Sequence, residues 1–280
     1  MLRPKIVFDT QVISNVNSGA ICAADWDNVS KYISRKCRYQ ISVNTLYELL
    51  SSLANGDEGH FLTNQGRIRL LCAPAGREFL PLVGDFVRRK VFGFPARRPD
   101  FRSGWLQIWA EVVLAAKTKA DLQNGKVVLR KAGHSGRSYG IDLQLLVRQI
   151  AEGKESHAQR LEKLRQGELL SSTSTTWSTA VLGLIGVPAN DANRAKLLEA
   201  LDAAHKYDES LYDMAKNHNY DFSQHDTDWI DSQQMYYLAD PSVLFVTCDS
   251  NIAFRVRGST QRSRILNFPE LIVRATSVNG

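Results

Sequence analysis

Residues 231–249 read DSQQMYYLADPSVLFVTCD, and the second half of that stretch decides the fold. Val243 to Thr247 (VLFVT) is a β-rich apolar run of the kind that forms a buried strand. Residues 227–238 read as a helix leading into it, and Asp249 follows it directly. At the other end of the chain, Lys5 to Asp9 (KIVFD) repeats the pattern: a short apolar strand that ends in an acid. Between and after these runs the pattern alternates. Residues 25–36 predict a helix, with Trp26, Val29, Tyr32 and Ile33 at helical spacing. Residues 39–43 (YQISV) predict a strand, and Asn44 or Thr45 then caps a helix over 46–54. Residues 252–257 follow as a helical or turn segment, 264–267 as a short strand and 269–275 as a helix. Strands alternating with helices predict an α/β fold with a mostly parallel central sheet covered on both faces.

The middle has a different character. Residues 66–218 are mostly helical in pattern, over 77–91, 105–124, 141–152, 158–170 and 190–217. Loops punctuate them at 93–95, 97–99, 132–136 and 171–176, and there is no internal repeat. The expected organisation is a discontinuous α/β core, 1–65 and 219–280, with a helical insertion over 66–218.

Composition bounds the class. A hydrophobic fraction of 44% and a charged fraction of 23% over 280 residues are ordinary for a soluble globular protein. The longest weakly polar stretch, 177–189, is too short to span a bilayer. The four cysteines (Cys22, Cys37, Cys72, Cys248) are scattered, with no CxxC pair, so reduced thiols in a cytoplasmic protein are the expectation. The net charge of +6 is uneven: 20 Lys/Arg stand against 9 Asp/Glu over 67–165, leaving about −5 for the rest. A basic middle beside acidic ends suits a polyanion-binding surface next to a carboxylate site. Arg88-Arg89-Lys90, Arg97-Arg98 and Arg130-Lys131 are the candidate nucleic-acid contacts, with Phe86, Phe92, Phe94, Phe101 and Trp105 nearby. The competing interpretation is amphipathic helices with solvated arginines and buried aromatics.

Four acids stand where such a sheet would gather them. Asp9 and Asp249 end strands, and ligands of parallel α/β sheets bind at the carboxyl ends of the strands. Asp231 lies near the start of the helix leading into VLFVT, and Glu48 lies on the helix after YQISV. Carboxylates held together repel one another, and a hard divalent cation such as Mg²⁺ or Mn²⁺ relieves that repulsion through oxygen ligands. Such an ion lowers the pKa of a water and polarises a phosphate for in-line attack. No histidine, cysteine or serine nucleophile is required.

The runs KIVFDTQV (5–12), ISVNTLYEL (41–49) and DSQQMYYLADPSVLFVTCD (231–249) resemble the motifs of PIN-domain ribonucleases, including the VapC-like toxins. The resemblance covers the two ends of the chain and implies a three-layer α/β/α core. It also implies a metal-dependent endoribonuclease, a toxin or defence effector restrained by an inhibitory protein partner or acting as a homodimer. By the same resemblance Asp9, Glu48, Asp231 and Asp249 are catalytic, Asp9, Asp231 and Asp249 hold Mg²⁺ or Mn²⁺, and Thr10 and Thr247 support them. RNA is the implied substrate, with DNA as the other polymer of the same chemistry. Two departures matter. Gln11 stands where the family commonly has Asn or Ser, which leaves room for a catalytically inactive PIN-like module that binds RNA or protein. Asp228 lies three residues before Asp231, on the same helix face, and is a rival or additional metal ligand. Gln11 also stands where a haloacid-dehalogenase-like phosphatase would need a second Asp.

Overall fold

Ile6, Val7 and Phe8 are all buried, which successive residues of a strand can be only when both faces of the sheet are covered. They belong to β1 (Lys5–Phe8) of the computed structural model, which describes residues 3–54, 56–74, 76–95, 101–129, 138–166, 174–217 and 228–277. After β1 come α1 (Thr10–Ser18), α2 (Ala23–Lys36), β2 (Arg38–Ile41), α3 (Val43–Ser52), α4 (Glu58–Cys72), β3 (Glu78–Phe79) and α5 (Val83–Phe92). The middle continues with α6 (Phe101–Ala115), α7 (Lys119–Gln123), β4 (Val127–Val128), β5 (Ser138–Tyr139), α8 (Leu143–Arg165), α9 (Ser174–Ile185), α10 (Asp191–Ala200) and α11 (Asp202–Lys216). The chain closes with α12 (Asp228–Gln234), a 3₁₀ turn (Met235–Ala239), β6 (Val243–Thr247), α13 (Ser250–Arg255), β7 (Ile265–Asn267) and α14 (Phe268–Ser277).

The protein is an α/β protein. Its five-stranded sheet runs β3-β2-β1-β6-β7, with every neighbouring pair parallel. The period of two in the strands sorts their side chains into two cores. Ile6 and Phe8 join Tyr39, Ile41, Val246 and Leu266 on one face, while Val7 joins Val243, Phe245 and Ile265 on the other. Register enforces this sorting: Val7 is level with Phe245, and Phe245 with Ile265. The first face is covered by α1–α4, α6 and α14, the second by α5, α9–α11 and the 3₁₀ turn. Full burial of a side chain such as Phe8 is worth about 1.5–3 kcal/mol.

Residues 66–218, expected as an insertion, are thus built into the sheet's own layers. They supply the edge strand β3, which pairs with β2 through Gln40 and Ile41, and most of the helices on the second face. The helix expected over 77–91 is instead β3 followed by α5. Pro81 lies between them and, lacking an N–H and clashing with the preceding turn, separates strand from helix. The other expected strands lie within a few residues of those observed. The helices expected over 141–152 and 158–170 are the single α8, α9 begins inside the loop expected at 171–176, and α1, α4 and α9 had no expected counterpart. One cap also shifts. Ser42, not Asn44 or Thr45, caps α3, accepting from the backbone N–H groups of Asn44 and Thr45. The side chains of Asn44 and Thr45 are thereby released for other contacts. No helix among the described residues is long and apolar enough to cross a membrane, and all four cysteines are unpaired.

Candidate functional site: carboxylates at the carboxyl edge of the sheet

The strand order reverses between β1 and β6, whose chains leave the sheet toward opposite sides. That is the crevice where open parallel sheets bind ligands. Asp9 and Asp249 emerge there. Asp9 is the N-cap residue of α1, in extended conformation, yet its side chain makes no capping bond. It turns inward, is buried, and accepts the Thr247 hydroxyl at Oδ2 (2.9 Å) and a long contact from Gln234 Nε2 at Oδ1 (3.5 Å). Thr247 also accepts the backbone N–H of Asp249 (2.9 Å), so one hydroxyl fixes both strand-end acids relative to each other. Asp249 caps α13 through the N–H of Asn251 (2.7 Å) and stays half-buried.

The other two acids arrive on helices. α3 presents Glu48, whose Oε2 accepts the hydroxyl of Thr10 at 2.7 Å, tying α3 to the first turn of α1. α12 presents Asp231. The two helices are locked together beneath the acids by Thr45, whose hydroxyl lies 3.1 Å from the Phe8 carbonyl oxygen and 3.3 Å from Gln234 Oε1. Gln234 thus spans from Thr45 to Asp9.

The charges of the other three expected acids are all felt at Asp231. Burial, first of all, pushes the Asp231 carboxyl well above the usual carboxylate range, and the nearby charges of Asp9, Glu48, Asp228 and Asp249 push it further. Asp9 is raised to about 6, chiefly by burial and further by Asp249, against the lowering pull of its bond from Thr247. Asp228, the expected rival of Asp231, has a different environment. It is buried in an ion pair with Arg255 (2.8 Å) and meets the Tyr207 hydroxyl at 3.3 Å, and Arg255 also donates to that hydroxyl (2.6 Å). Asp228 thus has a buried counter-charge at its Oδ1, while its own charge still acts on Asp231. Among the described residues, no three acids, histidines or cysteines are drawn close enough to grip an ion as they stand. A cavity of about 620 Å³ opens beside Asp249, walled by Ile21, Cys22, Thr247, Cys248 and Leu266.

Of the basic residues expected to hold nucleic acid, the described ones lie on α5, and two of them are engaged elsewhere in the fold. Arg88 is spent on structure: it donates to the carbonyls of Pro95, Ile185 and Gly186 and lies over the Phe94 ring. Lys90 pairs with Asp240 (2.9 Å) at the opposite, amino end of the strands, where Lys5 binds the same oxygen (2.6 Å). Arg89 is exposed on α5. Arg97, Arg98, Arg130 and Lys131 lie outside the described residues. The residues that sequence reasoning missed are Thr45, Gln234 and Arg255. Only Thr45 carried a signal, its place three residues before Glu48 in the run ISVNTLYEL.

No family model matches the chain, and neither does any curated protein or solved structure.

Proposed function

We propose that this protein is a metal-dependent nuclease of the PIN type that cleaves RNA phosphodiester bonds. The observation that carries the proposal is the shared electrostatics of Asp9, Glu48, Asp231 and Asp249, which crowd negative charge into the crevice at the strand-order reversal. The order of motifs along the chain supports the same family.

The donor set fits a hard divalent cation, because it offers carboxylate oxygens and no soft ligand. The lack of a closed three-acid cage does not count against Mg²⁺, which keeps several of its waters and is held through one or two carboxylates. Asp9, Asp231 and Asp249 would hold the ion, while Glu48 stands at the edge of the set with Thr10. When bound, Mg²⁺ or Mn²⁺ would supply Lewis-acid polarisation of a phosphate oxygen and a water of lowered pKa. The chain's own part is orientation. Thr247 holds Asp9 and Asp249 in fixed relation, Gln234 holds Asp9 from the other side, and Thr10 holds Glu48. Thr45 keeps α3 and α12 in register beneath them.

The test is cleavage of end-labelled single-stranded RNA, with single-stranded DNA in parallel, in Mg²⁺, Mn²⁺ or EDTA. The proposal expects ion-dependent cleavage that Asp9→Asn and Asp231→Asn abolish. Cleavage that persists in Asp9→Asn would remove the mechanism. RNA binding that no divalent ion converts to turnover would leave a PIN-like binding module instead.

A further inference from the structure

Asp231 sits in the middle of α12, a helix of only seven residues. An isolated helix shorter than about 12 residues is marginal in water, so α12 is placed by its neighbours. Two of its side chains are anchored to α11, one on either side of Asp231. Before it, Asp228 accepts the Tyr207 hydroxyl at 3.3 Å; after it, the Ser232 hydroxyl donates to Asp208 at 2.7 Å. Tyr207 and Asp208 are successive residues of α11, and all four side chains are buried. Asp208 is braced from the other side by the indole N–H of Trp177 on α9 (2.8 Å). The charge of Asp231 is itself felt at Tyr207.

The grip passes on to α13. Arg255, the last residue of that helix, donates to the Tyr207 hydroxyl at 2.6 Å and pairs with Asp228 at 2.8 Å, its guanidinium 5.0 Å over the Tyr207 ring. Asp249 caps the other end of α13, about 9 Å away along the helix axis. The side chains of Arg255 and Asp228 are only 3% and 7% exposed. A pair so buried is a poor source of stability, because desolvation offsets most of the attraction, and apolar residues of similar volume often serve as well. What the polar groups add is direction. Hydrogen bonds act over narrow distances and angles, whereas apolar contact is non-directional and lets packed helices slide. Here the directed bonds run from the helix that carries Asp231 to the helix that Asp249 caps.

We infer that Tyr207, Asp208 and Arg255 are positioning residues for the acid cluster. They clamp α12 to α11 and α13 and thereby set Asp231 against Asp249. The middle of the chain, which supplies Tyr207 and Asp208, thus takes part in the site without touching the ion. The inference rests on the metal-site proposal for what the clamped acids do, but its test separates the two.

The test makes two measurements on the full chain: calorimetric titration with Mn²⁺, and amide hydrogen exchange of α12 and α13 in EDTA. The principal variant, Tyr207→Phe/Asp228→Leu/Arg255→Met, replaces the three bonded groups together. None of the three then faces an absent partner, the net charge is unchanged, and such a swap is often neutral for stability. The variant is expected to melt near the wild-type temperature and to exchange faster in α12 and α13 but not in β1 and β6. Its Mn²⁺ affinity should fall by about 10- to 100-fold, the range for outer partners of metal sites. Ser232→Ala is the milder variant. It removes one hydroxyl, leaves Asp208 its bond from Trp177, and should fall at the lower end of that range. Asp240→Asn, at the other end of the sheet, controls for lost stability and should keep wild-type affinity. Unchanged Mn²⁺ affinity in every clamp variant that folds would overturn the inference, as would exchange in α12 and α13 that none of them accelerates. Failure of the wild type to bind Mn²⁺ would remove the metal-site proposal instead, and exchange alone would then decide the clamp.

Discussion

The two ends of the central sheet treat carboxylates in opposite ways. At the amino end, burial alone would raise the Asp240 carboxyl. The ammonium groups of Lys5 and Lys90 and the bonds from Ser242 outweigh it and hold Asp240 well below the usual carboxylate range. At the carboxyl end, about 13 Å along β1, burial raises both Asp9 and Asp231, helped by the charge of Asp249 at Asp9 and by those of Asp9, Glu48, Asp228 and Asp249 at Asp231. A buried acid that serves the fold is given cations. Acids gathered without them weaken the fold, and such an arrangement persists where a bound cation or a reaction uses it. The same sheet therefore carries its own control: Asp240 is the structural acid against which the proposed functional acids can be measured.

The largest expected difference is in activity. Asp9→Asn should lower ion-dependent RNA cleavage by more than the roughly 100-fold typical of losing an outer partner of a metal site. Asp240→Asn should leave cleavage near wild type at temperatures where the variant is folded. Rates of product formation from a labelled oligonucleotide separate the two.

Stability should show the reverse. Asp240→Asn strands Lys5 in a largely buried setting and is expected to cost about 3 kcal/mol, measured by urea unfolding at pH 7. Because the folded pKa of Asp240 is depressed, its contribution is present above the unfolded value near 3.9. It is lost as pH falls through the lower folded value. The gap between wild type and variant should therefore narrow in acid.

Asp9→Asn is expected to stabilise the metal-free protein. The folded pKa of Asp9, about 6, lies above the unfolded value near 3.9. Its favourable contribution is thus complete below about pH 4 and disappears as pH rises through 6. Asparagine carries no such charge. The variant should match wild type near pH 4 and exceed it by about 2–3 kcal/mol at pH 8, with EDTA present throughout. A variant less stable than wild type at pH 8 would mean that the crowding of Asp9 with Asp231 and Asp249 costs the fold nothing.

The smallest effect is expected at the support residues. Thr247→Val removes the hydroxyl that joins Asp9 to Asp249 and should lower cleavage by about 10-fold, within the range for outer partners of metal sites. Thr247→Ser, which keeps the hydroxyl, should stay close to wild type.

The parts of this arrangement that were legible in the sequence are the parts set by short-range pattern. KIVFD and VLFVT announce buried strands by apolar density, and the acid after each strand is placed by the strand itself. Other features are products of tertiary contact. A two-residue strand such as β3 has no period to detect. The ion pair of Asp228 depends on Arg255, brought in from α13 together with Tyr207 from α11, so no local spacing could reveal it. The excess of Lys and Arg over 67–165 was visible as a count, but a count carries no direction. Arg88 is spent on carbonyls, and Lys90 faces the amino end of the sheet.

The central claim is that the carboxyl-end acids together hold a divalent cation. Calorimetric titration of the metal-free protein with Mn²⁺ at pH 7.5 tests it most directly. The proposal predicts saturable binding in wild type, retained in Asp240→Asn and lost in Asp9→Asn and Asp231→Asn. Binding that is absent in wild type, or undiminished in the Asp9 and Asp231 variants, would contradict it.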